Sequence, residues 1–414
     1  MMKLLWLCNI LPGEVKEKIT GKPGSGLWMD HVLSDLRKAA NITVRILAPN
    51  ASEAEGVLDE SCSFAAFRTK LPYEYLPELE QKFRKELKQY QPDVIHIWGT
   101  EYAHTLAMVN AAEQEGLLDH TVVSIQGLCS VYAGHYAEGV PASIVYGATL
   151  RDIIRRDNIL LQQKKFVRRG VLEVKALEKV RHVIGRTAWD KACMEQITPN
   201  ANYHFCNETL RQSFYHQNWQ YNSCKKHSIF ASSCVYPVKG FHYLVAALAE
   251  VVKHYPDATI SVPGSNFLKT DMLHQDSYHK YLADLIHRYD LADKICFLGK
   301  LSAEGMKQAY LEANVFAMPS TIENSPNSLG EAMLLGVPCV SADVGGVTTM
   351  MTHEREGFVY QSTAPYMLAH YICQVFAMKD AAASLGQAAR AHALQTHDPE
   401  QNLRDLLSIY NTLA

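Results

Sequence analysis

Residues 318–346 read MPSTIENSPNSLGEAMLLGVPCVSADVGG, a stretch with the order strand, loop, helix, turn, strand. Val315–Met318 and Pro338–Ala342 are short apolar runs that suit buried strands. Between them Ser325 suits an N-cap, Pro326 the first helical position and Gly336 a left-handed C-terminal cap. Leu329, Ala332 and Met333 form an i, i+3, i+4 stripe that would pack on a sheet. Glu331 lies ~200° round the helix from Leu329 and points away from that stripe. A buried strand, a covering helix and a second buried strand make the repeating unit of a parallel sheet.

The same alternation runs outward in both directions. Towards the N-terminus, strands are expected at 3–10, 43–48, 93–98, 121–126, 182–185 and 203–206. Around and beyond the quoted stretch they are expected at 228–232, 258–262, 294–298, 315–318, 338–342 and 357–360. Amphipathic runs such as 27–40, 78–90, 244–254 and 367–376 supply the helices. About six strands in each half imply an α/β chain with two doubly wound, Rossmann-like domains and a cleft between their strand C-terminal edges. The polar and aromatic stretch 208–226 has neither a period of 2 nor of 3.6 and is read as the linker. That leaves domains at 1–207 and 227–398, with 399–414 as a final helix.

Bulk properties agree with this class. The chain has 414 residues, 48% hydrophobic and 20% charged, with 40 basic and 43 acidic side chains for a formal charge of −3. Nothing in that balance points to nucleic acid, and no apolar run approaches the ~18–20 residues needed to span a bilayer. The apolar Leu4–Leu11 is short and interrupted by Asn9, so it reads as a first buried strand and not as a signal segment. Ten cysteines include no C-x-x-C pair and sit mostly in or beside apolar runs, as reduced core residues do. A cytoplasmic location is the expectation.

Glu323 stands at the entrance to the 326–335 helix and Glu331 inside it, with the amides of Asn327, Ser328 and Leu329 between them. Free N–H groups at a helix N-terminus suit a diphosphate, and carboxylates suit sugar hydroxyls. The arrangement fits a nucleotide-sugar, with Glu331 at a ribose and Glu323 at the transferred sugar. The plain alternative is an acidic first turn that favours the helix dipole.

Glu323 and Glu331 with seven residues between them, followed by Gly336-Val337-Pro338 and Gly345-Gly346, resemble the Glu-x7-Glu signature of family 4 glycosyltransferases. The resemblance implies the GT-B architecture, retention of anomeric configuration, a nucleotide-sugar donor (UDP-linked being commonest) and a glycan or lipid-linked acceptor. It implies the first domain on the acceptor side, the second binding the nucleotide-sugar, and a last helix crossing back to the first. Tyr236-Pro-Val-Lys239-Gly240 opens a helix after a strand and offers Lys239 as a phosphate counter-charge. The Arg that the family commonly places five or six residues earlier is absent, those positions being Cys234 and Ser233.

In many family members a histidine precedes the glycine that follows the 121–126 strand. Here that residue is Gln126, which can donate and accept hydrogen bonds but cannot titrate. Gly24-Ser25-Gly26 precedes a helix, and by resemblance Gly24 and Gly26 close over the donor phosphates; a plain turn serves equally as an explanation. Trp98, Glu101, Arg186 and Thr187 end strands at the expected cleft. Residues 151–169 hold seven basic and two acidic side chains interleaved with aliphatic ones. They suit a solvated helix face or, alternatively, peripheral contact with the inner face of a membrane. No zinc-type cluster or Asp-x-Asp pair appears, so neither metal nor cofactor is expected. Two other readings remain: a nucleotide-sugar epimerase of the same fold, and a non-catalytic nucleotide-sugar-binding protein.

Overall fold

The computed structural model describes residues 1–22, 24, 28–39, 41–69, 71–271 and 273–414. The chain packs into two compact units. The first comprises residues 1–133, 165–211 and 397–414, and the second 134–164 and 212–396.

The first unit is built on an eight-stranded sheet: β1 (Met2–Cys8), β2 (Ile42–Asn50), β3 (Ala54–Asp59), β4 (Cys62–Arg68), β5 (Val94–Trp98), β6 (Thr121–Ser124), β7 (His182–Gly185) and β8 (Asn202–Phe205). Their spatial order is β3-β4-β2-β1-β5-β6-β7-β8, parallel except for the antiparallel β3–β4 hairpin. Side chains alternate across it as a pleat requires. Leu5, Leu7, Ile95, Ile97 and Val123 enter one core, and Leu4, Trp6, Val94, Trp98 and Val122 the other.

The helix Pro399–Leu413 covers that second face. Leu406, Ile409, Tyr410 and Leu413 are buried in the core it shares with β1. The Tyr410 hydroxyl accepts from Trp6 Nε1 at 3.1 Å and lies 2.6 Å from His96 Nδ1, while His96 Nε2 meets Ser124 Oγ at 2.7 Å. Burial lowers His96 to about 3, so the ring is neutral and serves as a tautomeric link between two hydroxyls.

The second sheet is wholly parallel. It contains β9 (Ser228–Phe230), β10 (Thr259–Val262), β11 (Ile295–Phe297), β12 (Val315–Met318), β13 (Cys339–Asp343) and β14 (Phe358–Gln361), in the order β11-β10-β9-β12-β13-β14. From β9 the chain winds outward through β10 and β11, then returns to β12 and winds the other way. The direction of crossover therefore reverses between β9 and β12, the position at which open α/β sheets commonly bind their ligands.

Two features depart from the sequence reading. The β3–β4 hairpin was not among the expected strands, because β3 is half-exposed, contains Gly56 and lacks a continuous apolar run. Residues 134–164 fall within 1–207 yet pack with the second unit. His242, at the start of the helix Phe241–Val251, has Nε2 3.1 Å from the Glu138 carbonyl, and Asp152 accepts the Ser277 amide at 2.9 Å. These polar ties have no signature in a linear hydrophobic pattern.

Candidate functional site

The loops after β9 and β12 carry Lys239 and Glu323. Lys239 ends a single helical turn, Pro237–Lys239, and Gly240 follows at φ +65°. A Cβ on Gly240 would lie 1.8 Å from the Pro319 carbonyl oxygen, so only glycine lets the two loops touch. The Thr321 amide donates to the Val238 carbonyl at 2.9 Å, and the Thr321 hydroxyl donates to the His135 carbonyl, also at 2.9 Å. The loop after β13 closes the third side. The Gly346 amide donates to the Glu323 carbonyl at 3.1 Å, and Gly345, at φ +51°, would place a Cβ 1.8 Å from that oxygen.

This scaffold brings Lys239 Nζ within 2.6 Å of Glu323 Oε1, which also accepts from Ser320 Oγ at 2.8 Å. The Glu323 side chain is buried while the Lys239 side chain is about one-third exposed. The cation is thus reachable from outside, and the bond is of the strong, charge-assisted kind. The sequence reading identified Lys239 and Glu323 separately. It missed Ser320 and Thr321, whose roles arise from backbone meetings that only the folded loops create.

The following helix spans Asn327–Leu334. Pro326, at φ −69° and ψ 114°, occupies the N-cap, and no side chain caps the end. The expected Ser325 cap is therefore displaced by one residue, since the extended ψ of Pro326 leaves it outside the helix. Gly336 adopts the left-handed conformation at φ +69°. Of the three amides expected to be free, that of Leu329 donates to the Pro326 carbonyl at 3.0 Å. Among the described residues, the amides of Asn327 and Ser328 have no such acceptor. Leu329 is fully buried, and Glu331 is buried in the helix's second turn.

Gln126 belongs to the first unit, just beyond β6. Its side-chain nitrogen donates to Glu208, its oxygen accepts from Arg186 at 3.3 Å, and Arg186 pairs with Glu208. Arg186 and Glu208 are both buried, so the amide is held in one orientation. The first sheet has its own reversal between β1 and β5, and Asn9 and Glu101 sit there. Asn9 Nδ2 donates to Glu101 Oε2 at 2.6 Å. Burial pushes the Glu101 carboxyl up to about 7, against the opposing pull of the Asn9 bond and Arg169. Gly24 lies so close to Gly13 that a Cβ would come 2.3 Å from its backbone. Gly26 lies outside the described residues.

Residues 215–392 match the family model described as Glycosyl transferases group 1. A D-inositol 3-phosphate glycosyltransferase of Corynebacterium urealyticum is 25% identical over 181 residues, which is 42% of this chain and 41% of that protein. A glycosyltransferase of Methanocaldococcus jannaschii is 29% identical over 119 residues, 29% of this chain and 28% of that protein. The chain thus matches well under half the length of these relatives.

Among solved structures, sucrose-phosphate synthase from Thermosynechococcus elongatus superposes with a TM-score of 0.72 at 17% identity, over 99% of each chain. Anabaena HepE, in complex with UDP-glucose, superposes at 0.66 with 19% identity, over 99% of this chain and 100% of that one. At these identities the likeness establishes the fold. The chain has the GT-B fold of those structures, and its residues 215–392 match the Glycosyl transferases group 1 family model.

Proposed function

We propose that this protein is a retaining glycosyltransferase that moves a sugar from a nucleotide-sugar, UDP-linked by preference, to a hydroxyl of a glycan or lipid-linked acceptor in surface polysaccharide synthesis. The observation that carries the reading is the Lys239–Glu323 pair at the reversal point of the second sheet, beside a helix N-terminus with two unengaged amides. Without substrate, each charge satisfies the other. A diphosphate arriving at the helix N-terminus takes over Lys239, and Glu323 is released to accept from sugar hydroxyls.

Transfer builds negative charge on the departing diphosphate, and Lys239 with the Asn327 and Ser328 amides is aimed at that charge. Glu331 takes a ribose hydroxyl pair. Glu323 orients the sugar ring; the donor phosphate itself assists removal of the acceptor proton. Gln126, at the position where the family commonly has a histidine against the donor sugar, offers its remaining N–H to that sugar. No metal or cofactor takes part in the scheme.

Three structures of HepE and one of TarM hold UDP or UDP-glucose, which supports UDP as the first nucleotide to try. A thermal-shift panel of UDP-, GDP- and ADP-sugars tests the reading, since a ligand bound only by the folded chain raises the melting temperature. A selective rise with one UDP-sugar, followed by transfer of its sugar to an added acceptor with retained configuration, is the expected result. Epimer formation without acceptor, or no shift with any donor, would overturn it.

A further inference from the structure

The segment 146–164 of the second unit carries a face that sugar transfer does not use. The helix Leu150–Arg155 opens on a reciprocal cap, in which Thr149 Oγ1 accepts the Asp152 amide and Asp152 Oδ2 accepts the Thr149 amide, each at 3.2 Å. Asp152 is buried and also accepts the Ser277 amide at 2.9 Å, which fastens that side of the helix to the start of the helix Ser277–Arg288. At about 100° per residue, Leu150, Ile153 and Ile154 share an arc of roughly 100° on the opposite side. They are 52, 64 and 73% exposed. Three neighbouring aliphatic side chains left in water call for a partner.

The charge around them is basic. Arg151 engages both local acids, lying 3.1 Å from Asp152 and 3.8 Å from Asp157. Arg155, Arg156 and Lys164 remain exposed. Asn158 Nδ2 donates to the Gly147 carbonyl at 2.9 Å, which ties the start of the next helix, with exposed Leu161, to the same region.

We propose that this face, with Leu150, Ile153 and Ile154 as the apolar part and Arg155 and Arg156 as the cationic part, docks the protein on an anionic phospholipid surface. An interfacial bilayer accepts both components at once: aliphatic side chains enter the acyl boundary and guanidinium groups meet lipid phosphates. A second copy fits poorly, because a two-fold contact through this patch sets like cations against each other. Single-stranded nucleic acid fits poorly too, because it is gripped by aromatic stacking and the exposed helix face here is aliphatic. Among the described residues no helix is long and apolar enough to cross a membrane, so the contact is peripheral. This inference stands whether or not the sugar-transfer reading does.

Flotation of the purified 414-residue chain with two vesicle preparations tests it: phosphatidylcholine alone, and phosphatidylcholine with 30% phosphatidylglycerol. The protein is expected to float with the anionic vesicles only, and added salt should weaken the association. Ile153→Asp with Ile154→Asp, and separately Arg155→Glu with Arg156→Glu, should each reduce the bound fraction about tenfold or more, at roughly 1 kcal/mol per charge near the surface. These side chains point into water, so unchanged melting temperatures should accompany the loss. Failure of the wild type to float, equal binding to neutral vesicles, or undiminished binding by either variant would overturn the proposal. So would a dimer in solution that the aspartate variant converts to monomer.

Discussion

Lys239 and Glu323 are 84 positions apart in sequence and 2.6 Å apart in space, and two glycines make that meeting possible. Gly240 and Gly345 both hold positive φ where a Cβ would strike a carbonyl oxygen at 1.8 Å. Gly345→Ala is expected to cost about 2–4 kcal/mol, from overpacking added to backbone strain. Gly116→Ala, at φ +73° with nothing within 4 Å, should cost only about 1 kcal/mol. Urea denaturation of the two variants separates collision from strain; equal losses would remove the close loop approach as the explanation. For chemistry, Lys239→Ala is expected to reduce transfer about 100-fold or more, the scale found for losing one group that stabilises developing negative charge. Single-turnover rates at saturating donor measure it, and a near-normal rate would take Lys239 out of the mechanism.

At the scale of elements, the helix Pro399–Leu413 shows how a polar contact can fix what apolar packing alone leaves free to slide. Tyr410 sits in a fully buried triad with Trp6 and His96. Tyr410→Phe keeps the ring and removes the shared oxygen, leaving a buried indole N–H and an imidazole nitrogen without it. A loss of about 1–3 kcal/mol is expected, read as a shifted denaturation midpoint with an unchanged slope. Wild-type stability would mean that water replaces the hydroxyl. The main parallel strands of this unit were legible because LLWLC is apolar throughout and VIHIW is broken only by His96, the mark of strands covered on both faces. The edge hairpin was not, since Ala54–Asp59 shows the mixed exposure of an edge and carries no such mark. The Glu323-to-Glu331 block was legible for a related reason: loop, cap and helix cues lie within one short window. The cap itself was misplaced by one residue because composition cannot reveal the ψ of Pro326.

For the molecule as a whole, buried ionisable groups set the response to pH. His96 and His104 are lowered to about 3 by burial. The unfolded chain therefore binds more protons than the folded one between about 3 and the ordinary 6.5, and stability falls as pH drops through that window. Glu101 acts in the opposite sense. Its carboxyl rises from an ordinary 4.5 to about 7, so the folded chain holds the extra proton and stability declines as pH climbs from about 4.5 to 7. Glu101→Gln should therefore gain in melting temperature relative to wild type between pH 5 and pH 8; a constant difference would show that Glu101 is ionised at both.

The two-unit α/β architecture was readable from alternating strands and helices. The return of 134–164 to the second unit was not, because it rests on bonds such as Asp152 to Ser277, 125 positions apart. The central claim is that the site carried by the β9 and β12 loops grips a nucleotide-sugar through Lys239 and the neighbouring helix amides. Calorimetric titration of the best-binding UDP-sugar into wild type and Lys239→Ala, with melting temperature as the fold control, tests it most directly. The account predicts affinity at least ~10-fold weaker in the variant, the worth of one charge-assisted contact of about 1.4 kcal/mol, with the fold intact. Equal affinity in the two proteins would contradict it.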